Sequence, residues 1–263
     1  MRVAIISDIH ANLTAFEAVL KHMGSVEAMW CLGDLVGYGP QPDECICTLR
    51  EKAHICVPGN HDWGAIGRLE LAAFNRDARS ILEWTQRTLS PDNARYLDSL
   101  PVQQTVRAAS STLVHASPRD PMWEYLLDLF DAAECFPRFS TRYCFVGHTH
   151  VPLIFLDIGG VVKAAVPESE ESISLDVRPY TPDEPGDGTG PRMIINPGSV
   201  GQPRDGDPRA AYMTLDMPDD PETSGWQATL TFWRVPYDVR TTQSLMKELG
   251  FPPRLISRLE MGL

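Results

Sequence analysis

The sequence predicts an α/β protein of mixed α+β character, in which two packed mixed β-sheets are flanked by helices. Up to residue 57, short apolar runs alternate with amphipathic segments, a βαβαβ order that is typical of a largely parallel sheet. From residue 103 onward, strand-like runs follow one another closely, and two helical segments close the chain. These observations, with no internal repeat, predict a single domain that covers residues 1–263.

The amino-terminal part of the chain is predicted to be rich in helix. Leu13, Phe16 and Val19 share one face of an amphipathic helix. Ser90-Pro91 indicates a further helix start, because serine caps helices and proline is tolerated at their first position. The predicted elements are a strand at 3–7, a helix at 13–23, a strand at 28–32, a helix at 42–52, a strand at 55–57 and mostly helix over 62–100.

The rest of the chain is predicted to be β-rich up to its last two helices. Residues 179–191 are rich in proline, glycine and acidic residues, a composition that predicts a mobile surface loop. Strands are predicted at 103–108, 111–115, 143–147, 152–157, 160–166, 193–196, 210–216 and 227–235, and helices at 239–249 and 252–261.

Composition and charge exclude several classes of protein. Hydrophobic residues make up 43% of the chain and charged residues 22%, which is ordinary for a globular protein. The net charge of −12 disfavours extended nucleic acid as a partner, because binding to such polymers depends on Lys and Arg. No apolar stretch approaches the roughly 18 residues of a membrane span, and no signal peptide precedes the first strand. We therefore predict a cytoplasmic protein without membrane contact.

The six cysteines are predicted to be reduced residues of the core. Cys31, Cys56 and Cys144 lie in apolar, strand-like runs, where a free thiol behaves as a small hydrophobic group. Cys45 and Cys47 are separated by one residue, and zinc or redox motifs have a two-residue spacing.

Five short polar blocks carry the candidate chemistry, and four of them directly follow a predicted strand. Ligands of open α/β sheets bind at the carboxyl ends of the strands, so these blocks can converge from distant positions. In an extended segment, residues two apart point the same way, so Asp8 with His10, and His148 with His150, can face one pocket. The blocks are Asp8-Ile9-His10, Gly33-Asp34, Gly59-Asn60-His61-Asp62, His115, and Gly147-His148-Thr149-His150.

The residue types in these blocks indicate a metal centre. Carboxylate, imidazole and amide oxygen together suit divalent manganese, iron or zinc, and they do not form a thiolate site. Five of the seven histidines of the chain lie in the blocks. Each block alone also fits a polar residue that is satisfied at the end of a strand, but five blocks in this order favour metal binding.

The series DIH, GD, GNHD, H and GHTH resembles the motif series of the calcineurin-like metallophosphoesterases. The resemblance is closest to small bacterial and archaeal phosphodiesterases of that superfamily. It covers the whole chain, because INPGSVGQPR at 195–204 and RVPYD at 234–238 are similar as well. It implies the calcineurin-like phosphoesterase fold, a pair of packed mixed sheets flanked by helices.

The resemblance also implies two divalent metal ions, which would be manganese, iron or zinc. It implies that Asp34 bridges the two ions and that His61 is the catalytic histidine and not a ligand. His115 stands alone in the sequence and is not part of a dense motif. The implied ligands are Asp8, His10, Asp34 and His150 for the first ion, and Asp34, Asn60, His115 and His148 for the second.

The implied reaction is hydrolysis of a phosphate ester by in-line attack of a metal-bridging hydroxide. Two ions about 3.5–4 Å apart lower the pKa of the water between them and hold the phosphoryl oxygens. Their charge exceeds that of Asp8, Asp34 and the hydroxide by about +1, which attracts a phosphate diester. His61 is expected to donate a proton to the leaving oxygen, with Asp62 as a candidate for orienting its ring.

The main alternative is a phosphomonoesterase, a protein phosphatase or a dinucleoside polyphosphate hydrolase with the same metal site. Those relatives read GDxxDRG and RGNH, and their two arginines bind a phosphoryl group. Tyr38 and Pro58 stand at these positions, which favours a phosphodiesterase and leaves only Arg204 as a further cation near the substrate. The acidic charge disfavours a nuclease, and the complete ligand set disfavours a non-catalytic scaffold. The expected partner is a small phosphate ester, with the oligomeric state left open.

Other candidate residues have simpler explanations. His22 in the first helix and His54 at a strand start are predicted to be structural or solvated. Trp63 either stacks on a substrate base or packs in the protein. Arg204 is a candidate phosphate contact, because it follows a turn at 196–198.

Overall fold

The computed structural model describes residues 1–178, 190–219 and 225–263. Its strands form two six-stranded mixed sheets, which confirms the predicted fold class. The first sheet has the order β3-β2-β1-β11-β12-β9, and it contains β1 (Arg2–Ile6), β2 (Ala28–Cys31), β3 (His54–Cys56), β9 (Ser172–Asp176), β11 (Ala210–Asp216) and β12 (Gln227–Val235). The second has the order β4-β5-β6-β10-β7-β8, and it contains β4 (Gln103–Val106), β5 (Ser111–Val114), β6 (Tyr143–Phe145), β7 (Pro152–Ile158), β8 (Val161–Ala165) and β10 (Arg192–Pro197).

The first sheet is parallel at one end and antiparallel at the other, and the second sheet has a parallel centre with antiparallel edges. In the first sheet, β1 pairs in parallel with β2 and β2 with β3, while β11, β12 and β9 join in antiparallel register. In the second, β6 pairs in parallel with both β5 and β10. The carboxyl ends of β1, β2 and β3 therefore meet at one edge of the molecule, which brings the loops after these strands together.

Helices flank the sheets within the described residues. Asn12 caps the first helix, because its side chain accepts a hydrogen bond from the amide of Ala15. The helices are α1 (Leu13–Met23), α2 (Pro42–Arg50), α3 (Asn60–Ala65), α4 (Arg76–Thr88), α5 (Pro91–Ser99), α6 (Leu129–Cys135), α7 (Val239–Glu248) and α8 (Pro253–Ser257). Short 3₁₀ turns lie at Leu71–Ala73, Arg107–Ala109, Phe136–Arg138 and Arg258–Glu260.

The hydrophobic core has three layers. Strand β1 contributes side chains to two of them, which explains why its sequence is continuously apolar. Val3 and Ile5 point between the two sheets, where they pack with residues such as Phe145 of the second sheet. Ala4 and Ile6 point the other way, into the layer between the first sheet and its helices. A third layer lies between the second sheet and α6. A strand that is covered on both faces needs apolar residues at every position.

Several predicted elements differ from the observed ones. Strand β9 was not predicted, because in the segment Ser172–Asp176 only Leu175 is buried and the apolar pattern is weak. Helix α6 was also missed, since its seven residues are too few to show a helical period. The predicted helix at 252–261 ends early and continues as a 3₁₀ turn. Most of the predicted loop at 179–191 lies outside the described residues.

Two predictions about composition can be compared with the structure. All six cysteines are free, as predicted, but Cys47 is exposed and does not belong to the core. None of the described helices combines the length and the apolar character that crossing a membrane requires.

Candidate metal centre

The structure brings all the candidate ligands and His61 to one place at the ends of five strands. Asp8 and His10 follow β1, Asp34 follows β2, and Asn60 and His61 open α3 after β3. From the second sheet, His115 follows β5, and the block with His148 and His150 follows β6. None of these side chains exposes more than 4% of its surface. Eight polar side chains with so little access to water need partners inside the protein.

The backbone at these positions is not extended, so the geometric reason given for the pairs of ligands was wrong. The residues adopt the left-handed region, which aspartate and histidine enter more readily than most residues and which still costs free energy. Hydrogen bonds hold this conformation, since Asp8 N donates to Gly33 O (3.0 Å) and His10 N to Asp34 O (2.9 Å). The φ angles are 53° at Asp8, 49° at His10, 52° at Asp34, 65° at His148 and 61° at His150.

The ligand atoms form two clusters that share Asp34. In each cluster, one atom from every member lies within 4.8 Å of the others. His10 Nε2 is 3.1 Å from His150 Nε2, and His115 Nε2 is 3.2 Å from His148 Nδ1. Two nitrogens that bind one ion at about 2.0–2.1 Å and at right angles are about 3 Å apart. The clusters are Asp8, His10, Asp34 and His150, and Asp34, His115 and His148.

Backbone carbonyls determine which nitrogen of three of these histidines faces the cluster. The Nδ1 atoms lie 3.0 Å from Val36 O in His10, 2.8 Å from Leu32 O in His115 and 2.5 Å from Gln202 O in His150. A carbonyl oxygen only accepts, so each Nδ1 carries the proton and donates it. The lone pair of each Nε2 is then free and points into the cluster, as a metal ligand requires.

Each of the two carboxylates has one oxygen that accepts a hydrogen bond from a backbone amide and one oxygen that faces its cluster. Asp8 Oδ2 accepts from the amide of His148 (3.1 Å), and Asp34 Oδ1 accepts from the amide of His61 (2.9 Å). Their second oxygens, like Asn60 Oδ1, are buried without a hydrogen-bond donor among the described residues. A buried oxygen in this state is unfavourable, and a cation would satisfy it. The donor set therefore fits divalent metal ions.

The protonation states of three of the four candidate histidine ligands agree with this donor set, whereas the Asp34 carboxylate raises the pKa of His115 to about 10, so a metal ion would have to displace its proton. Burial lowers the pKa of His148 to about 3 and places those of His10 and His150 well below the usual range, so all three rings are neutral at pH 7. Burial also raises the pKa of Asp8 to about 7, and the nearby Asp34 carboxylate acts in the same direction. Asp8 is thus ionised most readily when a positive charge is close to it. Neutral imidazole and carboxylate are the forms that bind metal.

Comparison with known proteins agrees with the fold. The model of the calcineurin-like phosphoesterase superfamily domain matches residues 1–220. The chain belongs to this superfamily. Its members depend on two metal ions, and membership supports hydrolysis of phosphate esters.

Individual relatives of this metallophosphoesterase cover the chain to different extents. A metallophosphoesterase of Sphaerobacter thermophilus with a crystal structure is 45% identical, with a TM-score of 0.81 over 100% of this chain and 99% of that one. An uncharacterized protein of Methanocaldococcus jannaschii is 33% identical over 99% of this chain and 98% of its own length. A symmetrical bis(5'-nucleosyl)-tetraphosphatase of Ectopseudomonas mendocina is 30% identical over 51% of each chain.

In this metallophosphoesterase the ring of His61 lies beside the ligands and is not a member of either cluster. Its centroid is 4.9 Å from that of His10, and its Nδ1 has no hydrogen-bond partner among the described residues. The hypothesis that Asp62 orients this ring is wrong. Asp62 accepts from the amides of Val36 (3.1 Å) and Gly59 (2.9 Å), so it anchors the start of α3 and the loop after β2.

The end of β10 and the loop that follows it hydrogen-bond to the backbone of the loops that carry the ligands, a role that the sequence did not predict. Ser199 Oγ donates to Asp8 O (2.8 Å) and accepts from the amide of Gln202 (2.8 Å). Asn196 Nδ2 donates to Gly147 O (2.7 Å) in the loop of the two histidines. The segment INPGSVGQPR is recognisable in the sequence, but the partners of its polar groups depend on the packing of the two sheets.

The other histidines and Trp63 behave as structural residues. His22 bonds to the hydroxyl of Tyr212 and His54 to the hydroxyl of Tyr96, both at 2.8 Å. Trp63 packs under the guanidinium of Arg68, whose Cζ is 5.0 Å from the ring centroid.

The rim of the centre contains two residues that no motif indicated. Tyr125, which is 47% exposed, covers His148 with a centroid distance of 4.1 Å. Arg258, near the carboxyl end, lies over Tyr38 with its Cζ 4.5 Å from the ring centroid. The expectation that Arg204 is the only further cation in this region was therefore wrong. Arg258 has no diagnostic neighbours in sequence, so only the packing of the last helix shows its position.

Proposed function

We propose that this protein is a phosphodiesterase that uses two divalent metal ions. The observation that carries the proposal is the convergence of buried ligand atoms on two clusters joined by Asp34, in which one oxygen each of Asp8 and Asp34 has no hydrogen-bond partner among the described residues. Asp34 Oδ2 is 3.6 Å from His10 Nε2 and 3.4 Å from His115 Nε2, so one oxygen reaches both clusters. One ion would be held by Asp8, His10, Asp34 and His150, and the other by Asp34, Asn60, His115 and His148.

Such a pair of ions activates water and neutralises charge on the phosphoryl oxygens. The residues of the chain contribute orientation and proton transfer. Asp34 holds the two halves of the centre together, and the carbonyls behind His10, His115 and His150 keep their rings in the binding tautomer. His61, whose backbone is tied to Asp34, donates a proton to the oxygen that leaves.

Charge balance favours diesters over monoesters. Among the described residues, the ion-pair partners of Asp8 and Asp34 are histidines, and no Arg or Lys is paired with either carboxylate. The substrate phosphate would meet a net charge of about +1 from the ions, the two carboxylates and the attacking group. This charge matches a diester, which carries one negative charge, better than a monoester, which carries nearly two. Tyr38 and Pro58 also leave the phosphate without the paired arginines that suit a dianion.

A second candidate is hydrolysis of a dinucleoside polyphosphate, which the similarity to a symmetrical bis(5'-nucleosyl)-tetraphosphatase over half of the chain favours. Its scissile group is a phosphoanhydride, and the same centre can act on it. Diadenosine tetraphosphate therefore belongs in any test of the substrate class.

The test is a panel of substrates assayed after reconstitution with manganese, iron or zinc. We expect bis-p-nitrophenyl phosphate to give a higher kcat/KM than p-nitrophenyl phosphate, because of the charge match. A clear preference for the monoester would reject the diester proposal in favour of a phosphomonoesterase. A higher kcat/KM for diadenosine tetraphosphate than for either would support the second candidate.

The matched control for this panel is Asp8→Asn, which keeps the size of the side chain and removes its charge. It should lose activity on every substrate in proportion. A substrate whose hydrolysis does not fall in proportion in Asp8→Asn would be cleaved by a contaminating phosphatase, and the ranking of substrates would then have to be measured again.

A further inference from the structure

Tyr38 is in contact with the candidate metal centre and with two arginine side chains. Its ring centroid lies 4.4 Å from that of His61 and 4.8 Å from that of His10. The Cζ of Arg258 lies 4.5 Å from the same centroid, and the Cζ of Arg204 lies 5.7 Å from it. Tyr38 exposes only 5% of its surface, so these neighbours enclose it. Cations at such distances interact favourably with an aromatic ring.

Different parts of the chain bring the two arginines to this ring. Arg204 follows the loop that supports the centre, and its amide donates to the carbonyl of His150 (3.3 Å). Its side chain donates to Gln202 Oε1 (3.3 Å). Arg258 follows α8 and is placed by its neighbour Leu259, which is buried in the helix layer. The two guanidinium groups are thus built into the rim of the site.

These guanidinium groups have unused hydrogen-bonding capacity. Nε and Nη2 of Arg258 and Nε of Arg204 are buried and have no acceptor among the described residues. No described carboxylate forms an ion pair with either side chain, although the protein has 35 acidic residues. Two positive charges placed together without a counter-ion are unfavourable, and an anion that reaches both would relieve this.

We propose that Arg204 and Arg258 form a subsite for a second phosphate group of the substrate, next to the phosphate that is hydrolysed. This inference rests on the proposed function. The planar guanidinium group matches the oxygens of a phosphate and can donate two hydrogen bonds to it. The substrate would then be an ester or anhydride whose arm carries an additional phosphate.

The position of Tyr38 separates the binding of the hydrolysed phosphate at the metal ions from the binding of the second phosphate at the arginines. An arginine at position 38 would reach the phosphate at the metal ions, but the aromatic ring occupies that place and contacts His10 and His61. The guanidinium groups of Arg204 and Arg258 instead contact the ring itself. The hydrolysed phosphate can remain a monoanion, while the positive charge at the rim selects substrates by their second phosphate.

The experiment compares two inhibitors, inorganic phosphate and inorganic pyrophosphate, in the hydrolysis of bis-p-nitrophenyl phosphate by the manganese-reconstituted protein. Pyrophosphate can reach the centre and the subsite together, whereas phosphate occupies the centre alone. We expect Arg258→Met and Arg204→Met each to weaken pyrophosphate relative to phosphate by about tenfold or more. Chelation of free metal by pyrophosphate is the same for every variant. A difference between variants therefore reports the effect of the substituted side chain on inhibition.

Two further variants keep the test decisive. Arg258→Lys retains the charge without the planar group and should give an intermediate loss, which also covers the case in which Arg258→Met does not fold. Arg254→Met changes an exposed arginine one turn earlier in the same carboxy-terminal segment and should leave the ratio of the two inhibition constants unchanged.

Two results would overturn the subsite. Equal weakening of phosphate and pyrophosphate would mean that the arginines bind the phosphate at the metal ions. An unchanged ratio in both methionine variants would mean that the arginines only pack against Tyr38. Calorimetric titration of pyrophosphate into the same variants measures the subsite without turnover, so a failure of the phosphodiesterase proposal remains distinguishable from a failure of the subsite.

Discussion

Asp34 and His61 are joined by a hydrogen bond from the backbone amide of His61 to Asp34 Oδ1 (2.9 Å). This bond turns Oδ2 toward His10 in one cluster and His115 in the other. The residue proposed to bridge the ions and the residue proposed to donate the proton are therefore placed by the same contact. A change at Asp34 should disturb both functions.

We expect Asp34→Asn to be more damaging than Asp8→Asn. Asparagine keeps the size of the side chain, but the loss of charge weakens both clusters, whereas Asp8 belongs to only one. The loss of metal affinity should exceed about 10–100-fold, the loss that is typical when a residue that hydrogen-bonds to a metal ligand is changed. Metal content by elemental analysis and kcat/KM on a diester measure it. Near-normal metal content and turnover in Asp34→Asn, with both reduced in Asp8→Asn, would disprove the bridging role.

The protein should bind about two transition-metal ions per chain after reconstitution. The free oxygens of Asp8 and Asp34 and the oriented histidine nitrogens provide the reason. Because the ions bind only the folded protein, they should also raise its Tm, and excess chelator should abolish activity and lower the Tm. Full activity in excess chelator, or no metal after reconstitution, would contradict this prediction.

His61→Gln should leave the metal content nearly intact and slow turnover by about 10²–10⁴-fold, the range for loss of a general acid. The loss should be smaller for esters with very acidic leaving groups, which need little protonation. An equal loss for all leaving groups would indicate that His61 positions the substrate instead. His22→Gln and His54→Gln are controls, because both rings bond to tyrosines away from the ligands. Neither control should change the rate or the metal content.

Gly37→Ala should reduce turnover by displacing the ring of His61. Gly37 has a φ of +87°, and a Cβ atom there would lie 2.4 Å from His61 Nδ1. Gly24→Ala is the matched control, since Gly24 also has a positive φ (+64°) but an added Cβ would meet nothing within 4 Å. Both changes should lower the free energy of unfolding by about 1–2 kcal/mol. Beyond this shared loss of stability, only Gly37→Ala should also lower kcat. Equal kcat values in the two variants would contradict the prediction.

The sequence predicted most of the fold and the polar blocks that converge at the candidate centre. Continuous apolar runs such as Val3–Ile6 need cover on both faces, so a buried parallel strand was predictable from sequence alone. The polar blocks after the strands were recognisable because carboxylate and imidazole groups rarely gather without a ligand. The short helix α6 and the strand β9 were missed, because their local patterns are too short or too polar to identify them.

Only the tertiary structure decided how the side chains of the centre are oriented and what surrounds it. The tautomers of His10 and His150 depend on carbonyls of Val36 and Gln202, which are 26 and 52 residues away in the chain. The left-handed backbone at the ligands is held by hydrogen bonds between neighbouring loops, so no local preference predicts it. Arg258 reaches Tyr38 only because the last helix packs into the layer between the first sheet and its helices. Hydrogen-bond partners and charges between distant segments depend on the packing of the whole chain, and local sequence patterns do not contain this information.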